Sequence, residues 1–191
     1  EWVDLGLSVK WATCNVGASK PEEYGDYFAW GETEPKEDYS WATYKYCKGT
    51  HTTMTKYCSN AEYGYNGFVD GRTSLAVNDD AARANWGGSW RMPTYEEQIE
   101  LRDNCEWTWT TQNGVNGYII VSKHNGNSIF LPAAGIRVNT GFQYFEDRCY
   151  YLSNSVEYNN PHVLSLLHLY SSWCCGAKSR DCGNPVRAVC W

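Results

Sequence analysis

The sequence lacks the features that mark several common classes of protein. No apolar run approaches the roughly 20 residues that a transmembrane helix needs. No cluster of Lys and Arg supplies the basic footprint that nucleic-acid binding requires. The common catalytic motifs GxSxG, HExxH, GxGxxG and the P-loop are also missing. We therefore expect no membrane insertion by this domain, no nucleic-acid partner and no enzymatic activity.

A convincing metal-binding pattern is missing as well. No CxxC pair occurs, and Cys174 and Cys175 are adjacent. His162 and His168 do not show the spacing of familiar zinc ligands. We expect no metal site and no cofactor.

Charge is scarce in the C-terminal part of the chain. Residues 1–106 carry 18 acidic and 10 basic side chains, whereas residues 107–191 carry 4 acidic and 6 basic ones. A nearly neutral surface rich in Tyr, Asn, Ser and Leu resembles the core of an interface or an antibody paratope. The charge distribution therefore favours a contact surface in the C-terminal part.

Cysteine and aromatic residues are abundant. The chain has 10 Trp, 15 Tyr and 5 Phe, so rings can build much of the core. Nine cysteines are an odd number, which leaves at least one without an intrachain partner. Cys47 with Cys58, and Cys14 with Cys190, are possible disulfide pairs, and buried free thiols are equally compatible with the sequence.

Two short helices are predicted. The first lies around residues 79–85, where acidic residues at the start suit the helix dipole. The second follows Pro93, because Thr94 and Glu97 have the spacing of a capping box, and it extends to Asn104. Tyr95, Ile99 and Cys105 offer it a partial apolar stripe.

Short strands surround these helices, with long ordered loops over residues 39–71. Asn125-Gly126 is a strong hairpin signal between two of the strands. The predicted strands are one or two within 2–12, then 107–111, 117–123, 127–131 and 185–191. Residues 135–184 show little periodicity, and a segment of that kind in a compact domain is more often functional than idle.

Five separated motifs carry a resemblance to a known family. They are VKWATCNVGA (9–18), YGDYFAWGE (24–32), NWGGSWRMPT (85–94), LPAAG (131–135) and PVRAVC (185–190). With these motifs the chain resembles the Fibrobacter-succinogenes-major-paralogue type of domain, found in surface proteins and lipoproteins of gut Bacteroidetes. That family is similar to C-type-lectin-like domains and, more distantly, to formylglycine-generating enzymes.

The resemblance implies an α+β chain with a C-type-lectin-like fold, two short helices, small antiparallel sheets and long ordered loops. It implies a single domain over residues 1–191. Within it, residues 1–135 form a scaffold, residues 136–184 a variable ligand-binding segment, and residues 185–191 a closing strand.

The segment after the LPAAG motif departs from the family pattern. Family members usually continue with Tyr-Arg and later carry a Tyr-Trp-Ser-Ser-Ser-like string, whereas this chain has Ile136-Arg137 and YLSNS (151–155). Domains of this kind include the variable proteins of diversity-generating retroelements, in which adenine-directed mutagenesis changes chosen surface positions. The predicted variable, ligand-binding positions are Phe142, Tyr144, Phe145, Asp147, Cys149, Leu152, Asn154, Val156, Tyr158, His162, Leu164, Leu166, His168, Tyr170, Cys174, Cys175, Ala177, Ser179, Asp181 and Cys182. The alternative is that Leu164, Leu166 and Leu169 are strand core.

The predicted function is a non-enzymatic receptor or adhesin module that binds a protein or glycan on another cell or host surface. We expect a cell-surface or secreted location behind a trimmed leader or lipoprotein anchor, or else a phage virion. A structural domain of a surface lipoprotein is the first alternative. A catalyst like the formylglycine-generating enzymes is another, although Cys174, Cys175 and Cys182 do not reproduce the expected cysteine pair. Calcium-dependent sugar binding is a further alternative: Asn159-Asn160-Pro161 has a faint likeness to its motif, but the segment has few carboxylates for Ca²⁺.

Overall fold

The computed structural model describes residues 1–156, 164–170, 172–176 and 179–191, with the backbone alone over 164–176. These residues form two α-helices and small antiparallel sheets, which confirms the predicted α+β class. Residues 13–80 form long loops, and the only helical turns in them are two short 3₁₀ turns, Tyr65–Gly67 and Val77–Asp79. The expectation of long ordered loops over residues 39–71 is therefore confirmed.

Helix α1 spans Ala81–Trp86 and confirms the first predicted helix. The carboxylate of Asp80 accepts a hydrogen bond from the backbone N–H of Arg83 at 2.9 Å, so Asp80 is its N-cap. The same carboxylate accepts from the N–H of Met92, which ties the helix to the chain that follows. The helix stops at Gly87, whose φ of 64° is easily adopted by glycine.

Helix α2 spans Tyr95–Asn104 and begins with the predicted capping box. The hydroxyl of Thr94 accepts from the N–H of Glu97 at 3.2 Å, and the Glu97 carboxylate accepts from the N–H of Thr94 at 2.8 Å. Its fully buried residues are Gln98 and Leu101, and Tyr95 and Ile99 of the expected apolar stripe are only half-buried.

The strands form four sheets in the described part of the chain. The first joins both ends of the sequence in the order β1-β2-β11, and the second is the meander β3-β4-β5. The third is the hairpin β6-β7, and the fourth has the order β10-β9-β8. The bounds are β1 Trp2–Val3, β2 Lys10–Ala12, β3 Cys105–Gln112, β4 Val115–Ser122, β5 Ser128–Pro132, β6 Ile136–Val138, β7 Gly141–Gln143, β8 Cys149–Val156, β9 Leu164–Tyr170, β10 Ser172–Gly176 and β11 Val189–Cys190.

Two of these regions differ from the sequence prediction. The final strand is shorter than residues 185–191, since only Val189–Cys190 pairs with β2. Residues 135–184 contain the five strands β6 to β10, although this segment shows little periodicity in its sequence. Residues 149–153 of β8 are all buried, so this strand lacks the apolar–polar alternation that marks a half-buried strand.

Aromatic rings hold the long loops together. The ring of Trp30 packs edge-on against Tyr57 with centroids 4.9 Å apart, and Tyr57 packs against Tyr46 at 5.5 Å. The hydroxyl of Tyr44 donates to the carbonyl of Trp30 at 2.7 Å. Rings thus supply both apolar area and hydrogen bonds where regular backbone pairing is scarce.

Two buried arginines connect the C-terminal part of the chain to the core through hydrogen bonds and a ring contact. Arg187 donates to the side-chain oxygen of Asn15, to the carbonyls of Ala12 and Thr13, and to the carbonyl of Phe130. Arg180 donates to a backbone carbonyl, and its guanidinium carbon lies 5.0 Å from the centroid of the Trp30 ring. Burial lowers the pKa of both guanidinium groups.

Neither proposed disulfide forms. Cys47 and Cys58 carry free thiols, and so do Cys14 and Cys190. The thiols of Cys47, Cys58 and Cys14 each donate to a nearby backbone carbonyl instead. Cys58 and Cys190 are buried free thiols, as in the other interpretation of the sequence, whereas Cys14 and Cys47 are only half-buried.

Candidate functional site

The best candidate for a functional surface is the loop of residues 141–148, which comprises strand β7 and the turn that leads into β8. Backbone hydrogen bonds hold it to the LPAAG motif: the N–H of Gly135 donates to the carbonyl of Arg148 at 3.0 Å, and the N–H of Glu146 donates to the carbonyl of Ala133 at 2.9 Å. The side-chain amide of Asn116 also donates to the carbonyl of Glu146, at 3.3 Å. The path of the loop is therefore set mainly by main-chain contacts.

Gly135 allows the loop to approach this closely. A Cβ atom at this position would lie 2.4 Å from the carbonyl oxygen of Gln143 and 2.7 Å from the backbone nitrogen of Phe145. The φ of Gly135 is also +59°, which favours glycine. The last residue of the LPAAG motif is thus required for the loop to pack where it does.

Three aromatic side chains of this loop are exposed, and we call them the aromatic face. The exposed fractions are 54% for Phe142, 45% for Phe145 and 38% for Tyr144. The centroids of Phe142 and Phe145 lie 5.8 Å apart, so their exposed area is continuous. Adjacent exposed rings of this kind are uncommon on a surface that makes no contact.

Two tyrosines support the aromatic face from below. The ring of Tyr24 packs edge-on against Phe145 at 4.9 Å, and the ring of Tyr27 packs against Phe142 at 5.5 Å. The hydroxyl of Tyr27 donates to the carbonyl of Ala134 at 2.6 Å. Burial raises the pKa of both tyrosines, so they stay neutral in the physiological range.

Arginines lie against the exposed rings. The guanidinium carbon of Arg137 lies 4.8 Å from the centroid of Phe142, and that of Arg148 lies 4.1 Å from the centroid of Tyr144. Asp147 is exposed beside them. The surface therefore offers apolar area together with charges of both signs.

The backbone of the loop is strained at two residues. Tyr144 has a φ of 56° and Glu146 a φ of 61°, in the left-handed region that non-glycine residues seldom adopt. Each costs on the order of 1 kcal/mol, and such residues concentrate at functional sites.

The remaining predicted site residues divide into buried and half-buried ones, with others described by backbone alone. Cys149, Leu152 and Val156 are buried in β8, and Asp181 and Cys182 are also buried, so these five side chains belong to the interior and do not present a contact surface. Cys149 and Leu152 are buried because side chains on both faces of this part of β8 are covered. Half-buried positions are Asn154 and Ser179. The backbones of Leu164, Leu166, His168 and Tyr170 lie in β9, and those of Cys174 and Cys175 in β10. Tyr158, His162 and Ala177 lie outside the described residues.

The structure brings together residues that sequence reasoning did not select. Tyr24 comes from the YGDYFAWGE motif, more than a hundred residues before the loop, and Arg137 comes from β6. No local pattern marks them as neighbours of Phe142 and Phe145. Arg137 lies two positions after Gly135 of the LPAAG motif, and this proximity was the only sequence signal for it.

A cleft beside the start of helix α2 is a second concave feature of the described residues. A cleft of about 270 Å³ is lined by Thr73, Ser74, Thr94, Tyr95, Glu96, Asn154, Ser155 and Val156. Among the described residues, no three His, Cys, Asp or Glu side chains lie close enough together to hold a metal ion. Within the same residues, neither helix is long and apolar enough to cross a membrane.

Comparisons with known proteins gave no match. A scan against protein-family models, a search of curated proteins and a search of solved structures each returned no similar protein. The candidate site therefore rests on its own geometry.

Proposed function

We propose that the chain is a non-enzymatic ligand-binding module of the receptor or adhesin type, with a C-type-lectin-like scaffold. In this proposal it is a variable protein of a diversity-generating retroelement, displayed on a cell surface, secreted or carried on a phage virion. Its ligand is a protein or glycan on another cell or host surface. The aromatic face contributes the part of the contact surface that residues 141–148 provide.

The observation that carries the proposal is the exposure of Phe142, Tyr144 and Phe145 on one loop with a fixed path, with the rings of Phe142 and Phe145 adjacent. Aromatic residues supply most of the binding energy at many protein interfaces, because they bury a large area at a small cost in side-chain entropy. A loop that is already ordered before binding loses little further entropy when it binds. Arg137 and Arg148 lie over the rings of Phe142 and Tyr144 and add positive charge to this surface.

The way the loop is held also supports diversification. Its anchoring bonds to Ala133 and Gly135 join backbone atoms, so they do not depend on the side chains at positions 142, 144, 145 and 147. Those four side chains are exposed. A new side chain there changes the contact surface while the backbone keeps the same anchors.

The scaffold part of the proposal draws on the arrangement of the chain. Strands β2 and β11 pair directly, so the two ends of the sequence meet in one sheet. Two short helices and long ordered loops lie between them. This arrangement fits the architecture that the five sequence motifs imply.

A cell-binding assay tests the proposed function. Labelled protein is incubated with intact gut bacterial cells, with cells treated with protease, and with cells treated with periodate. Loss of binding after protease indicates a protein ligand, and loss after periodate indicates a glycan. A triple variant, Phe142→Ser, Tyr144→Ser and Phe145→Ser, should bind at least roughly a hundredfold more weakly, since hot-spot rings contribute about 2 kcal/mol or more each.

The matched control removes three exposed apolar side chains elsewhere, with Phe68→Ser, Val69→Ser and Val77→Ser. This control should bind like the original protein. If the aromatic-face variant binds as well as the control, or if no cell type binds the original protein, the chain is better described as a structural domain.

Diversification has a separate genetic test. The source locus is sequenced for a near-identical copy of the codons for residues 136–184 and for an adjacent reverse transcriptase. A copy that differs only at adenines supports a diversified surface. If no copy exists, diversification is refuted, and the binding assay decides on its own whether a ligand-binding role remains.

A further inference from the structure

Strand β3 forms an edge of the β3-β4-β5 sheet. Its eight residues pair with β4 without a break, from Cys105 opposite Ser122 to Gln112 opposite Val115. Among the described residues, β3 pairs with β4 only, so no described strand lies along the other side of its backbone. Glu106, Thr108, Trp109 and Thr111 are exposed along this edge.

The geometry of the β3–β4 hairpin determines which backbone groups face outward. Asn113 and Gly114 form the two-residue turn with φ values of 49° and 82°, as in a type I′ turn. The flanking pair of such a turn is hydrogen-bonded, and hydrogen-bonded pairs alternate along an antiparallel ladder. The N–H and C=O groups of Trp107, Trp109 and Thr111 therefore point away from β4.

Strand β3 lacks the usual devices that prevent edge pairing. Natural edge strands carry Lys or Pro, a β-bulge, or a short length. Residues 105–112 (CEWTWTTQ) contain no Lys and no Pro, and the ladder to β4 has no bulge. Glu106 is the only charged residue in the strand.

We propose that β3 pairs with β3 of a second copy of this chain, in antiparallel orientation about a two-fold axis at Trp109. The two sheets then form one continuous six-stranded sheet. The contact is isologous, because the same strand is used on both sides, and it closes as a dimer.

The residues of β3 are complementary to themselves in this register. Trp109 lies opposite Trp109 of the second copy, and Thr108 lies opposite Thr110. Trp107 lies opposite Thr111, so the outward-facing backbone groups of both strands meet as hydrogen-bonded pairs. Aromatic, aromatic–Thr and Thr–Thr pairs are favourable across antiparallel strands.

Within the strand itself, the single acid Glu106 lies opposite the neutral Gln112, so no two acids of β3 face each other. The side-chain amide of Gln112 donates to the Glu22 carboxylate at 2.6 Å, which places one further acid at the end of the strand. The ring of Trp109 already packs against Tyr118 of β4, with centroids 5.0 Å apart. In the dimer, the rings of both copies extend this row of aromatic side chains across the axis.

Sedimentation velocity of the full chain over a concentration series tests the proposal. The original protein should sediment as a dimer that dissociates on dilution. Trp109→Lys places two ammonium groups directly opposite each other and should raise the dissociation constant at least roughly a hundredfold, through lost ring contacts and repulsion. Val77→Lys adds the same charge at an exposed site away from β3 and should leave the dimer intact.

A second variant keeps the tryptophan. Thr111→Pro removes an outward-facing N–H and leaves the bonds to β4 in place, as prolines at sheet edges do. It should also give a monomer, with the circular dichroism spectrum of the original protein. A monomeric original protein, or a dimer that survives both substitutions, overturns the proposal.

Cysteine crosslinking checks the register. In the proposed pairing the Cα atoms of the two residues 109 are about 5.5 Å apart, within reach of a disulfide. The two residues 111 are offset by four positions, or about 13 Å, which is too far. Trp109→Cys should therefore form a crosslinked dimer on oxidation, and Thr111→Cys should show only the background of the original protein. The opposite pattern would refute this register.

Discussion

Replacing Gly135 with alanine tests whether the loop of residues 141–148 depends on one glycine. The new Cβ atom would lie 2.4 Å from the carbonyl oxygen of Gln143, 2.7 Å from the nitrogen of Phe145 and 2.8 Å from the carbonyl carbon of Tyr144. All three are backbone atoms, so no side-chain rotation can make room. The loop must move away from the LPAAG motif.

The expected cost is the sum of two effects. Alanine at a φ of +59° costs about 1 kcal/mol by itself. Moving the loop also weakens the hydrogen bonds from Gly135 to Arg148 and from Glu146 to Ala133, at about 1 kcal/mol each. We expect the free energy of unfolding to fall by about 3 kcal/mol.

Urea unfolding followed by tryptophan fluorescence measures this loss, and hydrogen exchange locates it. The amide of Glu146 should exchange faster in Gly135→Ala than in the original protein, while amides of helix α2 should not change. The control is Gly141→Ala on the same loop, because its Cβ atom would meet only the carbonyl of Val138 at 3.9 Å. If Gly135→Ala unfolds at the same urea concentration as Gly141→Ala, the close approach does not hold the loop.

Three further outcomes follow from the contacts described above. Asp79→Asn should lower the free energy of unfolding by about 2 kcal/mol at neutral pH, measured by urea unfolding. Burial alone would raise the pKa of the Asp79 carboxyl. The Lys56 ammonium and two tyrosine hydroxyls outweigh the effect of burial, so the pKa is lowered. Since a lowered pKa stabilises the folded state above the unfolded-state pKa of about 3.9, this contribution should begin to fall below about pH 4. It should be lost once the pH is below the folded-state pKa of Asp79, where the Asn and Asp proteins should unfold alike. Thr94→Ala should lower the free energy of unfolding by about 1 kcal/mol through loss of the α2 cap, whereas Thr94→Ser should retain most of it. Ellman's reagent should modify the half-buried Cys14 in the folded protein but should leave Cys149 unmodified until the protein unfolds. Cys149 is fully buried, and burial raises the pKa of its thiol. Rapid labelling of Cys149, seen by peptide mass spectrometry, would contradict the structure.

Local signals in the sequence were sufficient to predict both helices and the hairpin of β4 and β5. The Thr94–Glu97 capping box and the acidic start of α1 depend on residues within one helical turn, so they can be recognised without knowing the rest of the fold. The same holds for the Asn125-Gly126 turn between β4 and β5. These elements lie close to their predicted positions.

The strands β6 to β10 could not be predicted in this way. In β8, the residues Cys149 to Ser153 are buried on both faces, so the period-two pattern is lost. Hairpin β6–β7 has only three residues per strand, too few for a pattern to emerge. The lack of periodicity in this segment reflects burial and short strands as much as it reflects a variable surface.

The candidate site was predicted only in part. Phe142, Tyr144 and Phe145 are exposed, as a contact surface requires, but Cys149 and Leu152 are not. These neighbouring residues differ in exposure because the exposed loop ends at residue 148, where the buried strand β8 begins. That boundary depends on tertiary packing, which a single sequence does not show.

The bonds of Arg187 have a consequence for the order in which the chain folds during synthesis. This one side chain joins Ala12, Asn15 and Phe130, so its longest hydrogen bond spans 175 positions of the sequence. A ribosome releases the N-terminal residues long before Arg187, and until then the carbonyls that it caps have no such partner. Contacts of such long range slow folding, since a large loop must close before they form. The nascent chain can therefore complete these contacts only after Arg187 has emerged from the ribosome, and chaperone binding before that point would protect its incompletely packed core.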